Sequence, residues 1–315
     1  MPNWCNNKLI ITGDEKHLDY IENVINGTIQ SYQKAARDMS IKIFIAGVIG
    51  ILKPTKVCKF DPYPALVSNG GGEDNTANQA FQQWIDMLNA NAELNTDNVF
   101  TIYQLYLQTG ISSLKYDDLT DNQKQRCEAI FAEKKFDWTG SFGSADCSNW
   151  FDTEIEWKGE GCDGHLDIDL IVPPSVLVEL NGFNGKFLKG VSSGYDDAVN
   201  RCGTKWSIVE VHNVEREGRE LSFYFESAWS PALPLGQRLS EEFSLTVNHY
   251  FVEQGCDFTG FYIYEDGNAI SGASDSLEWA PVASEEDDDD DDCEDHEVVG
   301  PDYTVQHFEG CGYGG

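Results

Sequence analysis

Basic residues are scarce: 21 Lys and Arg stand against 54 Asp and Glu in 315 residues, a formal net charge of −33. Affinity for a phosphate backbone comes largely from Lys and Arg, so this balance argues against direct nucleic-acid binding and favours a basic partner surface. Eleven of the acids fall in residues 285–297, which hold no Lys or Arg; setting them aside leaves −22, so the body is acidic too. No Cys-x-x-Cys pair occurs, and the nine cysteines (5, 58, 127, 147, 162, 202, 256, 293 and 311) are odd in number and widely spread. Neither a zinc site nor the disulfide framework of a small secreted domain is signalled, and reduced thiols are expected. Long apolar runs are missing as well: the longest, residues 41–52, is interrupted by Lys42 and too short to span a bilayer. Residues 1–13 carry neither a basic region nor a sustained apolar core, so no secretory leader and a cytoplasmic location are expected. Phosphate-cradling loops are absent, because the glycines at 70–72 precede no Lys-Ser/Thr and those at 310–315 precede no helix.

What remains is ample for a packed core, at 41% hydrophobic and 12% aromatic residues, in one large domain or two modest ones. Leu9 to Thr12 reads as a short strand. Thr12 and Glu15 stand at capping-box spacing before Leu18, Ile21, Val24, Ile25, Ile29 and Tyr32, which predicts a helix over 15–37. The β-branched run 41–52 predicts a buried strand or strand pair, and the Pro, Gly and Asn of 53–74 predict a loop. Between 75 and 135 apolar residues recur at helical spacing, with capping boxes at Thr76/Gln79 and Thr120/Gln123, so this stretch reads as helical. From 136 to 172 the pattern reads mainly as β, with Leu166, Ile168, Leu170 and Val172 alternating with acids. Residues 205–214 and 220–227 form a predicted hairpin across the turn 215–219, then a helix over 231–243 and strands at 245–253 and 258–264 follow. Leaving out the middle, the order is βαββαβ, the split arrangement of a ferredoxin-like α+β fold. The expected organisation is a discontinuous core of 1–37 plus 200–280, an α/β insertion lobe at 38–199, and a disordered acidic tail at 281–315.

Constellations with chemistry are few. Cys5, Cys202 and Cys256 with His212 and His249 supply the residue types of thiol catalysis, but no local signature brings them together. Asp163, His165, Asp167 and Asp169 would share one face of a strand and suit a divalent metal, yet a solvated strand face accounts for them equally simply. The acids 287–292 lack the glycine and spaced ligands of a calcium loop. No catalytic residue, metal or cofactor is therefore assigned.

Four segments carry a resemblance. Met1-Pro2-Asn3-Trp4-Cys5-Asn6-Asn7-Lys8-Leu9 resembles the opening of the YubB/Api92-like proteins, a phage- and plasmid-borne group with a ferredoxin-like domain. Asn200-Arg201-Cys202-Gly203-Thr204-Lys205-Trp206, Phe225-Glu226-Ser227-Ala228-Trp229-Ser230-Pro231 and the run from Tyr250 through Glu253, Gly255 and Phe258 to Gly260 are similar to that group's later motifs. The departures are Arg201-Cys202 in place of one Trp and Ser227 in place of Thr. The matches cover 1–37 and 200–270 and leave 38–199 outside. They imply the fold and a mobile-element origin, and no chemistry. Trp4, Trp206 and Trp229 would gather with Asn6 and Lys205 at one sheet end, as a binding patch or, more simply, as fold-specifying packing along with Gly203, Pro231, Glu253, Gly255, Phe258 and Gly260.

The function expected from these readings is non-enzymatic: an accessory protein that binds and inhibits a host protein in the host cytoplasm. A defence nuclease complex of Gabija, restriction or CRISPR type fits the acidic charge, engaged by a protein clamp or an acidic decoy. The insertion's aromatics Trp84, Tyr103, Tyr106, Trp138 and Trp150 are the expected anchors. No membrane contact is expected, and the sequence is compatible with a homo-oligomer. Two alternatives stand beside it: a module binding single-stranded nucleic acid through a ferredoxin-like sheet, which the charge opposes, and an enzyme with an unrecognised site.

Overall fold

The computed structural model of the chain describes residues 3–142, 146–281 and 296–308. Strand β1 (Trp4–Thr12) and helix α1 (Glu15–Ile25) open it. Then come α2 (Gln33–Val48), α3 (Thr76–Asn89), α4 (Thr96–Thr109), α5 (Asp121–Phe142), α6 (Cys147–Asp152), β2 (His165–Asp167) and α7 (Val176–Asn181). Helix α8 (Gly194–Cys202) leads into β3 (Ile208–Glu217), β4 (Glu220–Ala228), α9 (Leu233–Phe243), β5 (Thr246–Glu253), β6 (Phe258–Glu265) and β7 (Asn268–Asp275). The last described elements are β8 (Glu278–Pro281), β9 (His296–Gly300) and α10 (Asp302–Val305). No helix among the described residues is long and apolar enough to cross a membrane.

The chain divides into two compact units, one of residues 1–29, 162–172 and 198–315, the other of 30–161 and 173–197. In the first, a seven-stranded sheet has the order β2-β3-β4-β1-β5-β6-β7, each neighbouring pair antiparallel. Its central four strands, β3-β4-β1-β5, with α1 and α9, make the ferredoxin-like βαββαβ core. Alternation fixes the faces. Cys5, Asn7, Leu9 and Ile11 of β1 are buried, and Leu9 and Ile11 share a core with Leu18, Ile21, Phe223, Phe225, Leu235, Leu239 and Val247. The opposite face presents Tyr224 and Tyr250, covered by Phe308 and the turn of α10.

The second unit is helical around α2. Thirteen of its sixteen residues are buried, and Phe44, Phe81, Trp84, Ile102, Trp138 and Trp150 belong to its core. The expected strand at 41–52 is thus a central helix. A helix enclosed on all sides loses its amphipathic stripe, and a short apolar run cannot then be told from a strand.

Other boundaries move for local reasons. The predicted helix 15–37 ends at Ile25, because Gly27 turns the chain with a φ of +69° where a Cβ would sit 2.9 Å from the Asp163 nitrogen. The core division consequently falls after Ile29 rather than after 37, and residues 162–172 join the first unit instead of an insertion. Helix α3 is capped by Asn75, whose side chain accepts from the Asn78 N–H at 2.9 Å, not by Thr76; α1 follows Asp14, not Thr12. The Thr120/Gln123 box forms as expected, with the Thr120 N–H donating to Gln123 Oε1 at 3.0 Å. The stretch 136–172 is not mainly β: α5 carries Trp138 inward to stack on Trp150, 5.9 Å away, and the strand at 165–167 breaks into a tight turn at Ile168. The hairpin turn shrinks to Gly218-Arg219, because β3 runs on to Glu217. Of the expected disordered tail, residues 296–308 are ordered. The acids 285–295 lie outside the described residues.

Candidate functional site

The motif segments, far apart in sequence, converge on one end of the sheet. Trp4 at the start of β1 faces Ala228 at the end of β4. The Trp229 N–H donates to the Asn3 carbonyl at 2.9 Å, and Asn3 Nδ2 donates to Cys256 Sγ at 3.4 Å. The Ala228 N–H donates to Thr204 Oγ1 at 3.0 Å, and Ser230 Oγ donates to the Gly203 carbonyl at 2.7 Å. Each bond ties one motif to another. Gly203 has a φ of +75°, and a Cβ there would press on Pro231 O at 2.9 Å, so glycine is required where these segments cross.

Beneath this junction lies a buried polar network. Asn7 Nδ2 donates to the Cys5 carbonyl (2.8 Å) and to Ser227 Oγ (2.7 Å), while Asn7 Oδ1 accepts from the Ala232 N–H (3.3 Å) and from His249 Nε2 (2.9 Å). The contact to Asn7 Oδ1 sets the tautomer: Nε2 carries the proton, so Nδ1 is bare, and it has no hydrogen-bond partner among the described residues. Complete burial pushes the imidazole down to about 3 and keeps it neutral. Nδ1 faces α9, whose Gly236 admits the ring because a Cβ would stand 3.3 Å from it. These groups staple β1, β4, β5 and the start of α9 together; they do not form a reacting pair.

The remaining motif residues also act by packing. Buried Glu253 accepts from the Gly255 N–H (2.9 Å) and the Cys256 N–H (2.5 Å), closing the turn before β6. Phe258 packs on Phe251, and Gly260 leaves room for that same Phe251 ring, which a Cβ would strike along with Ala273 O at 2.6 Å. Asn6 is half-buried on the strand face opposite Asn7, and Pro231 leads into α9.

The tryptophans differ from all of these, because they are exposed. Trp4 is 45% accessible, Trp206 39% and Trp229 52%. Trp4 and Trp206 lie 5.8 Å apart, and Lys205 Nζ sits 4.6 Å from the Trp206 ring, a cation–π contact. Trp229 has a φ of +71°, a left-handed conformation that is rare for a bulky residue. Backbone strain of that kind costs about 1–3 kcal/mol and persists only where the surroundings impose it. At Trp229 it accompanies the backbone bond to Asn3 and an indole that is half exposed.

Four of the five anchors expected in the other unit are enclosed in it. Trp84, Trp138, Trp150 and Tyr106 are buried in its core, where their large rings contribute most, and Tyr103 is half-buried against Trp157 at 4.4 Å. The thiol constellation does not assemble. Cys5 is buried and its thiol is pushed far up by burial and by Glu253, Cys202 lies in the apolar core, and His249 bonds Asn7. His212 stands on β3 opposite Tyr224. At 163–169 the alternation stops after three residues. His165 Nδ1 contacts its neighbour Asp163 O at 3.0 Å, Asp169 pairs with Arg201 at 2.8 Å, and Asp167 is pushed up to about 7 by burial and by Asp169. No group of three or more metal-ligating side chains comes together among the described residues.

Comparison with known proteins agrees with this architecture. Residues 30–206 match a family described as "Protein of unknown function (DUF1281)", and residues 205–296 match a "Ferredoxin-like domain in Api92-like protein". The stretch 38–199 is therefore part of a family pattern, not an addition outside it. The chain is 29% identical over 151 residues to the uncharacterized protein YubA of Escherichia coli K12, covering 48% of this chain and 90% of YubA. It is 35% identical over 130 residues to the uncharacterized protein YubB of the same strain, covering 41% and 85%. The crystal structure of a protein api92 from Yersinia pseudotuberculosis superposes with a TM-score of 0.73 at 29% identity, covering 88% of this chain and 99% of that one. The chain belongs to the DUF1281 family and carries the ferredoxin-like domain of the YubB/Api92-like proteins that its four motif segments resemble.

Proposed function

We propose that the protein is a non-catalytic binder that inhibits a host protein, docking it through the tryptophan end of the ferredoxin-like sheet. The observation that carries this is Trp229: a large indole kept half in solvent on a left-handed backbone. A purely structural position would hold glycine or asparagine there, or turn the ring inward. With Trp4, Trp206 and Lys205 it supplies the aromatic anchors that dominate protein interfaces. The net charge of −33 selects a basic partner. The nucleic-acid-binding face of a host defence nuclease complex, of the Gabija, restriction or CRISPR type, has that character. The mobile-element origin implied by the motif resemblance gives such an inhibitor a reason to exist.

A single-stranded nucleic-acid module is a weaker reading. The sheet face on which bases would stack bears Tyr224, Tyr250 and Phe261, and Phe308, His307 and Tyr303 already cover these rings. The test is reconstitution with a purified host nuclease. Binding and loss of cleavage by the wild-type chain, both abolished in Trp4→Ala, Trp206→Ala and Trp229→Ala variants, is the expected result. Undiminished inhibition by all three variants would sink the proposal.

A further inference from the structure

Within the helical unit, Cys127 of α5 and Cys147 at the start of α6 bring their sulfurs to 3.8 Å, although twenty positions separate them in sequence. We propose that these two thiols are a redox site, closed to a disulfide by hydroperoxides and reopened by thiol reductants.

The two sulfurs are unequal in a way that suits the chemistry. Cys127 is fully buried, whereas Cys147 is only partly buried, so Cys147 is the sulfur assigned to meet the peroxide. Either S–H can donate across this gap; with Cys147 deprotonated, the donor is the Cys127 S–H. That hydrogen bond pulls the Cys147 thiol below its ordinary value, against burial and the carboxylates of Glu128 and Asp146. Burial and the same hydrogen bond hold the Cys127 proton in place. A buried amine stands by: Lys42 Nζ of α2 donates to the Trp150 carbonyl at 3.3 Å and to that of Phe151; burial pushes it down to about 8, and in its charged form it favours the thiolate at both sulfurs. Low thiol pKa, partial access and a resolving thiol in reach are the features of a sensor cysteine.

The step balances. The Cys147 thiolate attacks one peroxide oxygen, the O–O bond breaks, and the departing hydroxide takes a proton to leave as water. Cys147 is then a sulfenic acid. The Cys127 sulfur attacks it, an S–S bond forms as the S–O bond breaks, and the Cys127 proton leaves with the hydroxyl as a second water. Two thiols lose two electrons and one peroxide gains them. Closure needs the sulfurs to approach from 3.8 Å to about 2.05 Å.

The experiment starts from the full chain reduced with dithiothreitol and freed of it, then titrated with hydrogen peroxide. Expected on non-reducing peptide mapping is one linked pair, 127 with 147, formed before the exposed Cys256 is oxidised. In Cys127→Ser, dimedone should trap a sulfenic acid at Cys147 that the wild type does not accumulate. Oxidation should raise the melting temperature of the wild type by about 5–10 °C, as expected for a loop of this length, and dithiothreitol should reverse it. Cys147 over-oxidised without the linked peptide, or untouched when Cys256 is fully oxidised, overturns the proposal. The linked peptide is read on the wild type, so a folding defect in Cys127→Ser does not blunt the test.

Discussion

If the backbone at Trp229 is strained to present an indole, two truncations there should rank in an unusual order. Trp229→Ala removes the ring and keeps a β-carbon on a φ of +71°; Trp229→Gly removes both. Left-handed backbone costs a non-glycine residue about 1–2 kcal/mol. Glycine gives back about 0.4–1 kcal/mol through the greater freedom of its unfolded chain. The glycine variant should therefore be the more stable by about 0.5–1 kcal/mol. In an ordinary strand or helix interior the order is the reverse, with alanine ahead by about 0.5–1 kcal/mol. Both variants lose the same ring contacts, so these cancel in the comparison. Urea unfolding followed by circular dichroism gives the difference directly, provided both variants share one m-value. An alanine variant equal to or more stable than the glycine variant would show that Trp229 is not strained, and would remove the main support for a presented indole.

Three further outcomes are expected. Asp167, pushed up to about 7, keeps a proton in the folded state that the unfolded chain releases from about pH 4 upward; its contribution is intact below that, falls as pH rises, and reaches a deficit of at most about 4 kcal/mol above pH 7. Asp167→Asn should thus match the wild type near pH 4 and exceed it increasingly up to pH 8 in denaturant midpoints; a gain independent of pH contradicts the burial. Asn7→Leu leaves Ser227, His249 and the Ala232 N–H each short of a buried partner and should cost about 3–5 kcal/mol in the same assay, whereas a loss under about 1 kcal/mol would mean the network is dispensable. Gly260→Ala drives a methyl into the Phe251 ring and toward Ala273 O, which should cost about 1–3 kcal/mol by thermal or urea unfolding; a neutral variant would show that the sheet yields there easily.

The ferredoxin-like core was legible because its strands are half-buried. The alternation of Cys5, Asn7, Leu9 and Ile11 against their neighbours is visible residue by residue, as is the run from Leu221 to Phe225. Helix α2 was not legible, since burial on every side erases the periodicity that would mark it. A similar limit hides which aromatic rings are buried. Trp84, Trp138 and Trp150 read as ready anchors in sequence, but aromatic content does not say which rings face water. What the sequence did show was the gathering of Trp4, Trp206 and Trp229, in segments that a βαββαβ order brings to one sheet end. The exposure of those rings and the turn at Trp229 depend on contacts across more than two hundred residues, such as Asn3 with Trp229. The meeting of Cys127 and Cys147 left no sequence signal at all, because helix packing rather than local spacing sets it.

The most direct test of the tryptophan docking surface is an affinity measurement on a purified host nuclease with wild type and the Trp4→Ala, Trp206→Ala and Trp229→Ala variants. Hot-spot loss predicts at least about a 30-fold weakening for one or more of them, with circular dichroism unchanged. Equal affinity for all four proteins, at low and at high salt, would contradict it.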